Sequence, residues 1–151
     1  MATGPRHRRA AGPGKTGRMA DTLVVPETHR DLFTGTTFLL STLNADGSIQ
    51  TTAIWGLVGE DGVVRTSLSK NRHKYRNMVA RPTATVFAIS PSNPYHTAEI
   101  RAQAIIEEDV DKSFLTTMLA SYGRTLADFG APGLEPRVAV TFRPTRIVLL
   151  G

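Results

Sequence analysis

Two turn signals, Asn44-Ala45-Asp46-Gly47 and Gly59-Glu60-Asp61-Gly62, lie close together between β-branched and apolar runs. Asn or Asp followed by Gly supplies the backbone conformations a tight reversal needs, so each marks a hairpin. The chain must therefore begin as an antiparallel meander. Thr36–Leu43 turns back as Ser48–Leu57 and again as Val63–Leu68. Glu27–Phe33 reads as a short entry helix closed by Gly35.

The period then changes. Tyr75, Met78 and Val79 recur at helical spacing, which predicts a helix within Ser69–Ala80, stopped by Arg81-Pro82. Thr83–Ser90 alternates as a strand, Pro91–Pro94 is a loop, and Tyr95–Glu107 is a long strand with Ala98, Ile100, Ala102 and Ala104 on one face. Asp109 or Asp111 can cap a helix running to Tyr122, with Phe114, Leu115, Met118 and Leu119 as its buried stripe and Gly123 as its end. Ala131-Pro132-Gly133 reads as loop, and Arg137–Phe142 and Thr145–Leu150 as strands parted by Arg143-Pro144. The expected class is mainly β: about six antiparallel strands in a barrel, with two or three helices.

Charge separates the chain into two parts. Residues 1–20 hold five of the 18 basic residues (Arg6, Arg8, Arg9, Lys15, Arg18) and no acid, so the rest balances 13 bases against 13 acids. The net +5 belongs to that tail. Its Gly, Ala, Pro and Arg content without apolar periodicity predicts a disordered basic tail over 1–20 and one domain over 21–151. Arg8-Arg9 is followed by no apolar stretch, so the tail does not read as an export signal. Met19 offers an alternative start, and the tail could instead serve as a weak polyanion arm. No run approaches the ~18 apolar residues of a membrane helix. The absence of cysteine excludes thiol catalysis, disulfides and thiolate metal sites, and fits a cytoplasmic protein.

Within the domain one imbalance remains. No acid lies between Asp61 and Glu99, whereas Arg65, Lys70, Arg72, Lys74, Arg76 and Arg81 do. Lys70, Arg72, Lys74 and Arg76 fall on the loop and first turns of the predicted helix, where the backbone dipole disfavours cations. Free N–H groups at the same place favour an anion, and a phosphate would convert an unfavourable cluster into a site. A solvated basic helix face is the plain alternative. Nucleic acid is disfavoured by the short patch and the lack of interleaved aromatics.

The same residues carry a resemblance. Arg65-Thr66-Ser67-Leu68, Arg72-His73-Lys74-Tyr75-Arg76-Asn77-Met78 and Arg81-Pro82-Thr83-Ala84 resemble the pyridoxamine 5′-phosphate oxidase-like split barrels, and among them the deazaflavin (coenzyme F-420) branch. The hairpin Leu39–Gly47 and the strand Ala98–Ala104 resemble the family too, over roughly Glu27–Leu150. The resemblance implies a split β-barrel that forms a homodimer with its cofactor at the interface. The cofactor is coenzyme F-420, or alternatively FMN, and the activity is hydride transfer to a small unsaturated organic substrate. Carried over by position, Arg72 and Lys74 hold the phosphate, with Arg65, Ser67, Lys70 and Asn77 as second choices. Thr51, Thr52, Ala53 and Ile54 line the ring site. A non-catalytic cofactor carrier, or a polyanion-binding module, is the reading of another class. The chain departs from the family at Arg101, where a Gly is usual, and it ends at Gly151 without the longer substrate-binding stretch of the vitamin-phosphate oxidases.

Other residues carry less. Trp55 could stack on a ring or belong to core or interface. Catalytic residues are not identified by sequence, and a proton would come from solvent, Tyr95 or His96. His7, His29, His73 and His96 lack metal-ligand spacing.

Overall fold

The computed structural model describes residues 23–151, and the 1–20 tail with the proposed domain start lies outside them. A 3-10 helix, Glu27–Phe33, leads into strand β1 (Phe38–Leu43), β2 (Ile49–Ile54), β3 (Gly56–Val58) and β4 (Val64–Ser69). Helix α1 (His73–Ala80) is followed by β5 (Thr83–Ser90) and β6 (Asn93–Glu108). Helices α2 (Ser113–Ala120) and α3 (Leu126–Phe129), a 3-10 turn Ala131–Leu134 and β7 (Arg137–Leu150) complete the chain. All seven strands form one antiparallel sheet in the order β2-β1-β5-β6-β7-β4-β3, curled into a split barrel.

Two expectations are corrected. The predicted returning strand Ser48–Leu57 is two strands, divided at Trp55. Ile54 ends its pairing opposite Phe38, and Gly56 begins a new one opposite Thr66. β2 and β3 thus sit at opposite edges of the sheet, one residue apart in the chain. Gly56 permits the crossing. A Cβ there would lie 2.4 Å from the Arg65 carbonyl oxygen and 2.7 Å from the Phe38 ring. The two predicted C-terminal strands are one continuous β7. Pro144 is tolerated because β4 ends its pairing at Thr141, leaving that stretch of β7 with β6 alone, and a bulge opposite Arg101 and Ala102 absorbs the irregularity.

The period-2 pattern explains the core. Phe38 and Leu40 of β1, Val86 of β5, Ile100 of β6 and Val140 and Phe142 of β7 are all buried with Phe33 of the entry turn. Each such side chain contributes roughly 1.5–3 kcal/mol by leaving water. α2 is shorter than expected and its N-cap is Lys112, at φ 58, but both predicted acids hold its first N–H groups. The Asp109 carboxylate accepts from Phe114 and Leu115 N–H at 3.1 and 3.0 Å, and Asp111 from Ser113 N–H at 3.1 Å. Its face of Leu115, Met118 and Leu119 forms a second cluster with Trp55, Tyr122, Leu126 and Phe129, outside the barrel core. Among the described residues no helix is long and apolar enough to cross a membrane.

Candidate functional site

An open cleft of about 510 Å³ lies where β2, β4, α1 and the second cluster meet. One end is cationic. β4 alternates toward Ser67 and Ser69, and the chain leaves it through a short turn, Arg72 N–H donating to Ser69 O at 3.2 Å. That turn sets Arg72 as the N-cap of α1, with no side-chain cap and no acid in the first turn. Lys74, two residues further and still in the first turn, reaches back to β2, its Nζ donating to Thr52 Oγ1 at 3.1 Å. Arg137, at the start of β7 opposite Ser69, donates from Nε to Ser67 Oγ at 3.1 Å. Among the described residues none of these three cations is in an ion pair.

Their proximity is costly. Burial pulls the Lys74 ammonium below its usual 10.5, and the charges of Arg72 and then Arg137 pull it further. Burial likewise lowers the Arg137 guanidinium, with Arg72 adding to it and Glu135 and Asp109 partly opposing. Three cations without ion-pair partners among the described residues, beside the open N-terminus of α1, make a setting that electrostatically favours an anion.

The other end is apolar, formed by Trp55, Met118, Phe129 and Pro132 with Ile54. Trp55 is fixed on two sides: its Nε1 donates to Thr37 Oγ1 at 3.1 Å, and its ring stacks on Tyr122 with centroids 4.2 Å apart and planes 6° from parallel. The Tyr122 hydroxyl donates to Thr36 O at 2.5 Å and accepts from Gly56 N–H at 2.9 Å, and burial raises its pKa.

The structure brings together some of the sequence-chosen residues and separates others. Arg72, Lys74, Ser67, Ala53 and Ile54 line the cleft, and Thr52 holds Lys74. Arg65 faces away and pairs with Asp61 at 2.8 Å. Lys70 pairs with Glu108 at 2.5 Å across the sheet end. Asn77 is buried behind α1, donating to Thr42 Oγ1 at 3.1 Å and Asn44 Oδ1 at 2.9 Å. Thr51 bonds Ser41 across the hairpin at 2.9 Å, on the outer face of the sheet. Tyr95 is 73% exposed, and His96 pairs with Asp31 at 3.0 Å, so neither borders the cleft. Arg101 bonds Glu99 at 2.6 Å on that outer face. Sequence reasoning missed Arg137, Met118, Phe129 and Pro132. Only Met118 carried a signal, its place in the α2 stripe.

A family model for pyridoxamine 5′-phosphate oxidase matches residues 25–151. The chain belongs to the pyridoxamine 5′-phosphate oxidase-like split-barrel family. Within this family it is similar to an F-420 reductase at 30% identity and a TM-score of 0.72, over 82% of this chain and 98% of that one. A conserved hypothetical protein from Mycobacterium tuberculosis shares the family fold at 19% identity and a TM-score of 0.65, over 83% and 84% of the two chains. General Stress Protein 26 from Bacillus anthracis does so at 21% and 0.60, over 82% and 88%. No curated protein matches the chain.

Proposed function

We propose that this chain is an oxidoreductase that binds coenzyme F-420 in the cleft and passes a hydride from the reduced deazaflavin to an unsaturated organic substrate. The observation that carries the reading is the pair Arg72 and Lys74, uncompensated at the N-terminus of α1 and facing one cleft. A phosphate fits there. It relieves the mutual repulsion that lowers Lys74, and it takes bidentate bonds from Arg72 and a point charge from Lys74. The similarity to an F-420 reductase supports the choice of cofactor.

When bound, the deazaflavin supplies the hydride; the protein binds, orients and excludes water. Arg72 and Lys74 hold the phosphate, with Ser67 beside them. Ala53 and Ile54 flank the ring, and Trp55 closes the apolar end. Among the described residues no carboxylate, imidazole or phenol lines the cleft, so in this reading the proton that follows the hydride comes from solvent.

In the same reading the active form is a cytoplasmic homodimer with the cofactor near its interface. The outer sheet face supports a dimer: Leu39, Phe87 and Val148 share one cross-strand row with Glu99, and Ile89 and Leu150 the next with Thr97. Leu39, Ile89, Val148 and Leu150 are exposed.

FMN is the second reading, favoured by the family model itself and served by the same phosphate contacts. Titration of the purified chain with F-420 and FMN side by side decides between them. Quenching of deazaflavin fluorescence with turnover of a reducible substrate supports the first. Yellow protein releasing FMN supports the second. Binding without turnover leaves a carrier, and binding of neither overturns both.

A further inference from the structure

Arg137 has two faces with different neighbours. It is 7% exposed, and Ser67 Oγ occupies its Nε. Its guanidinium carbon lies 5.5 Å from the centroid of the Phe129 ring. The charges of Glu135 and, more weakly, Asp109 reach it, but neither forms an ion pair with it among the described residues, and Asp109 is engaged by the two N–H groups that start α2. The Nη groups therefore remain for the cleft, beside Arg72 and Lys74.

Phe129 belongs to a segment of different character from the sheet. Residues 124–134 run between the ends of α2 and β7. Gly123 just before it and Gly130 within it, both at φ 67 with no atom within 4 Å of an added Cβ, give it positive-φ, uncrowded backbone. Helix α3 is held by its own Thr125–Asp128 capping box and buries no residue. Leu134 is 80% exposed. The segment turns Phe129 and Pro132 onto the cleft as its apolar wall.

We propose that Arg137 is a further ligand of the anion and that, through Phe129, it couples anion binding to closure of the 124–134 wall. The proposal rests on the reading that the cleft takes a phosphate-bearing ligand. Phe129 already covers one face of the guanidinium, so the unpaired charge is held with little water, which is unfavourable. Pairing it with phosphate relieves that cost while the ring stays in place, so the anion holds the wall against opening. The anion also pins the guanidinium plane and fixes the face that Phe129 covers. By linkage, if the anion favours closure, Phe129 favours the anion by the same factor, although it never touches it.

The test uses the full chain with FMN, coenzyme F-420, riboflavin (the FMN ring without phosphate) and inorganic phosphate. Trypsin cleavage after the exposed Arg124, followed by mass spectrometry, reports closure of the wall. FMN or F-420, and inorganic phosphate at millimolar concentration, are expected to slow that cleavage severalfold, and riboflavin is not. Arg137→Met is expected to weaken the phosphate-bearing ligand about 10- to 100-fold and abolish protection at saturation. Arg137→Lys keeps charge but not the planar stack, and regains affinity without protection. Phe129→Leu keeps bulk on a surface segment, weakens the ligand about two- to fivefold and loses protection.

Equal protection by riboflavin, wild-type protection in Phe129→Leu, or unchanged affinity in both Arg137 variants overturns the coupling. If neither FMN nor F-420 binds, the functional reading fails. The inorganic phosphate arm then still decides the inference: protection sustains it and its absence ends it.

Discussion

Arg65 and Lys70 stand beside Arg72 and Lys74 in one acid-free stretch, yet the two pairs have opposite fates. Arg65 is neutralised by Asp61 and Lys70 by Glu108, both at the surface. Arg72 and Lys74 have no carboxylate partner among the described residues and are joined by Arg137, far away in sequence. A run of cations in sequence is thus not a patch in space. The fold leaves acids beside the first pair and a third cation beside the second, and that separates a solvated edge from the proposed anion site.

The contrast can be broken most directly by paired alanine variants. Arg72→Ala with Lys74→Ala is expected to weaken F-420 or FMN about 100-fold or more, read by titration. Arg65→Ala with Lys70→Ala should leave affinity unchanged in the same titration. An effect as large from the outer pair would dissolve the distinction.

Asn77 sharpens it within one helix. It lies on α1 with Lys74 but is turned into the protein, so Asn77→Ala is expected to cost about 1–3 kcal/mol in urea unfolding, with cofactor affinity in the folded protein retained. Next comes pH. A bound phosphate favours charged Lys74, so affinity is full below its lowered pKa and falls as pH rises through that value toward 10.5. Titrations across alkaline pH should show this limb in the wild type and lose it in Lys74→Met.

The ligand-free protein runs the other way. A lowered folded-state pKa means the charged form is penalised: the Lys74 contribution to stability is greatest above 10.5 and is lost as pH falls through the lowered value. Lys74→Met is therefore expected to raise ligand-free stability at neutral pH, by about 0.5–1 kcal/mol, while it lowers affinity. Smallest of all, Arg65→Ala should change stability by less than about 0.5 kcal/mol, as exposed ion pairs do.

What the sequence made legible was local. The Gly47 and Gly62 turns, the α1 period, the α2 stripe with its Asp109 and Asp111 caps, and the Ala98–Ala102 face all depend on neighbours within a few residues. The position of Arg72 and Lys74 at a helix start, where cations are locally unfavourable, was legible too. The break at Trp55 was not, since Ser48–Leu57 reads as one β-rich run and only the Gly56 contact with Phe38 and Arg65 divides it. Nor was the continuity of β7 through Pro144, which depends on β4 ending early. Arg65, Lys70 and Arg137 were misjudged or missed for one reason: their partners are set by strand pairing, and no local pattern reports it.

The pairing of β4 with β7 has a kinetic consequence. It joins Ser67 to Ala139 and Ser69 to Arg137, the most distant strands in sequence to meet at the cleft. The β1–β2 hairpin and the β5–β6 and β6–β7 ladders close shorter loops and should organise earlier, whereas β4 must wait for the whole intervening chain. The cationic end of the cleft is then assembled at the last closure and is the first part to come apart. Substitutions at Ser67 or Arg137 should speed unfolding while leaving the folding rate nearly unchanged. A bound phosphate, by bridging α1 to β7, would act as a latch on the step that governs the lifetime of the folded state.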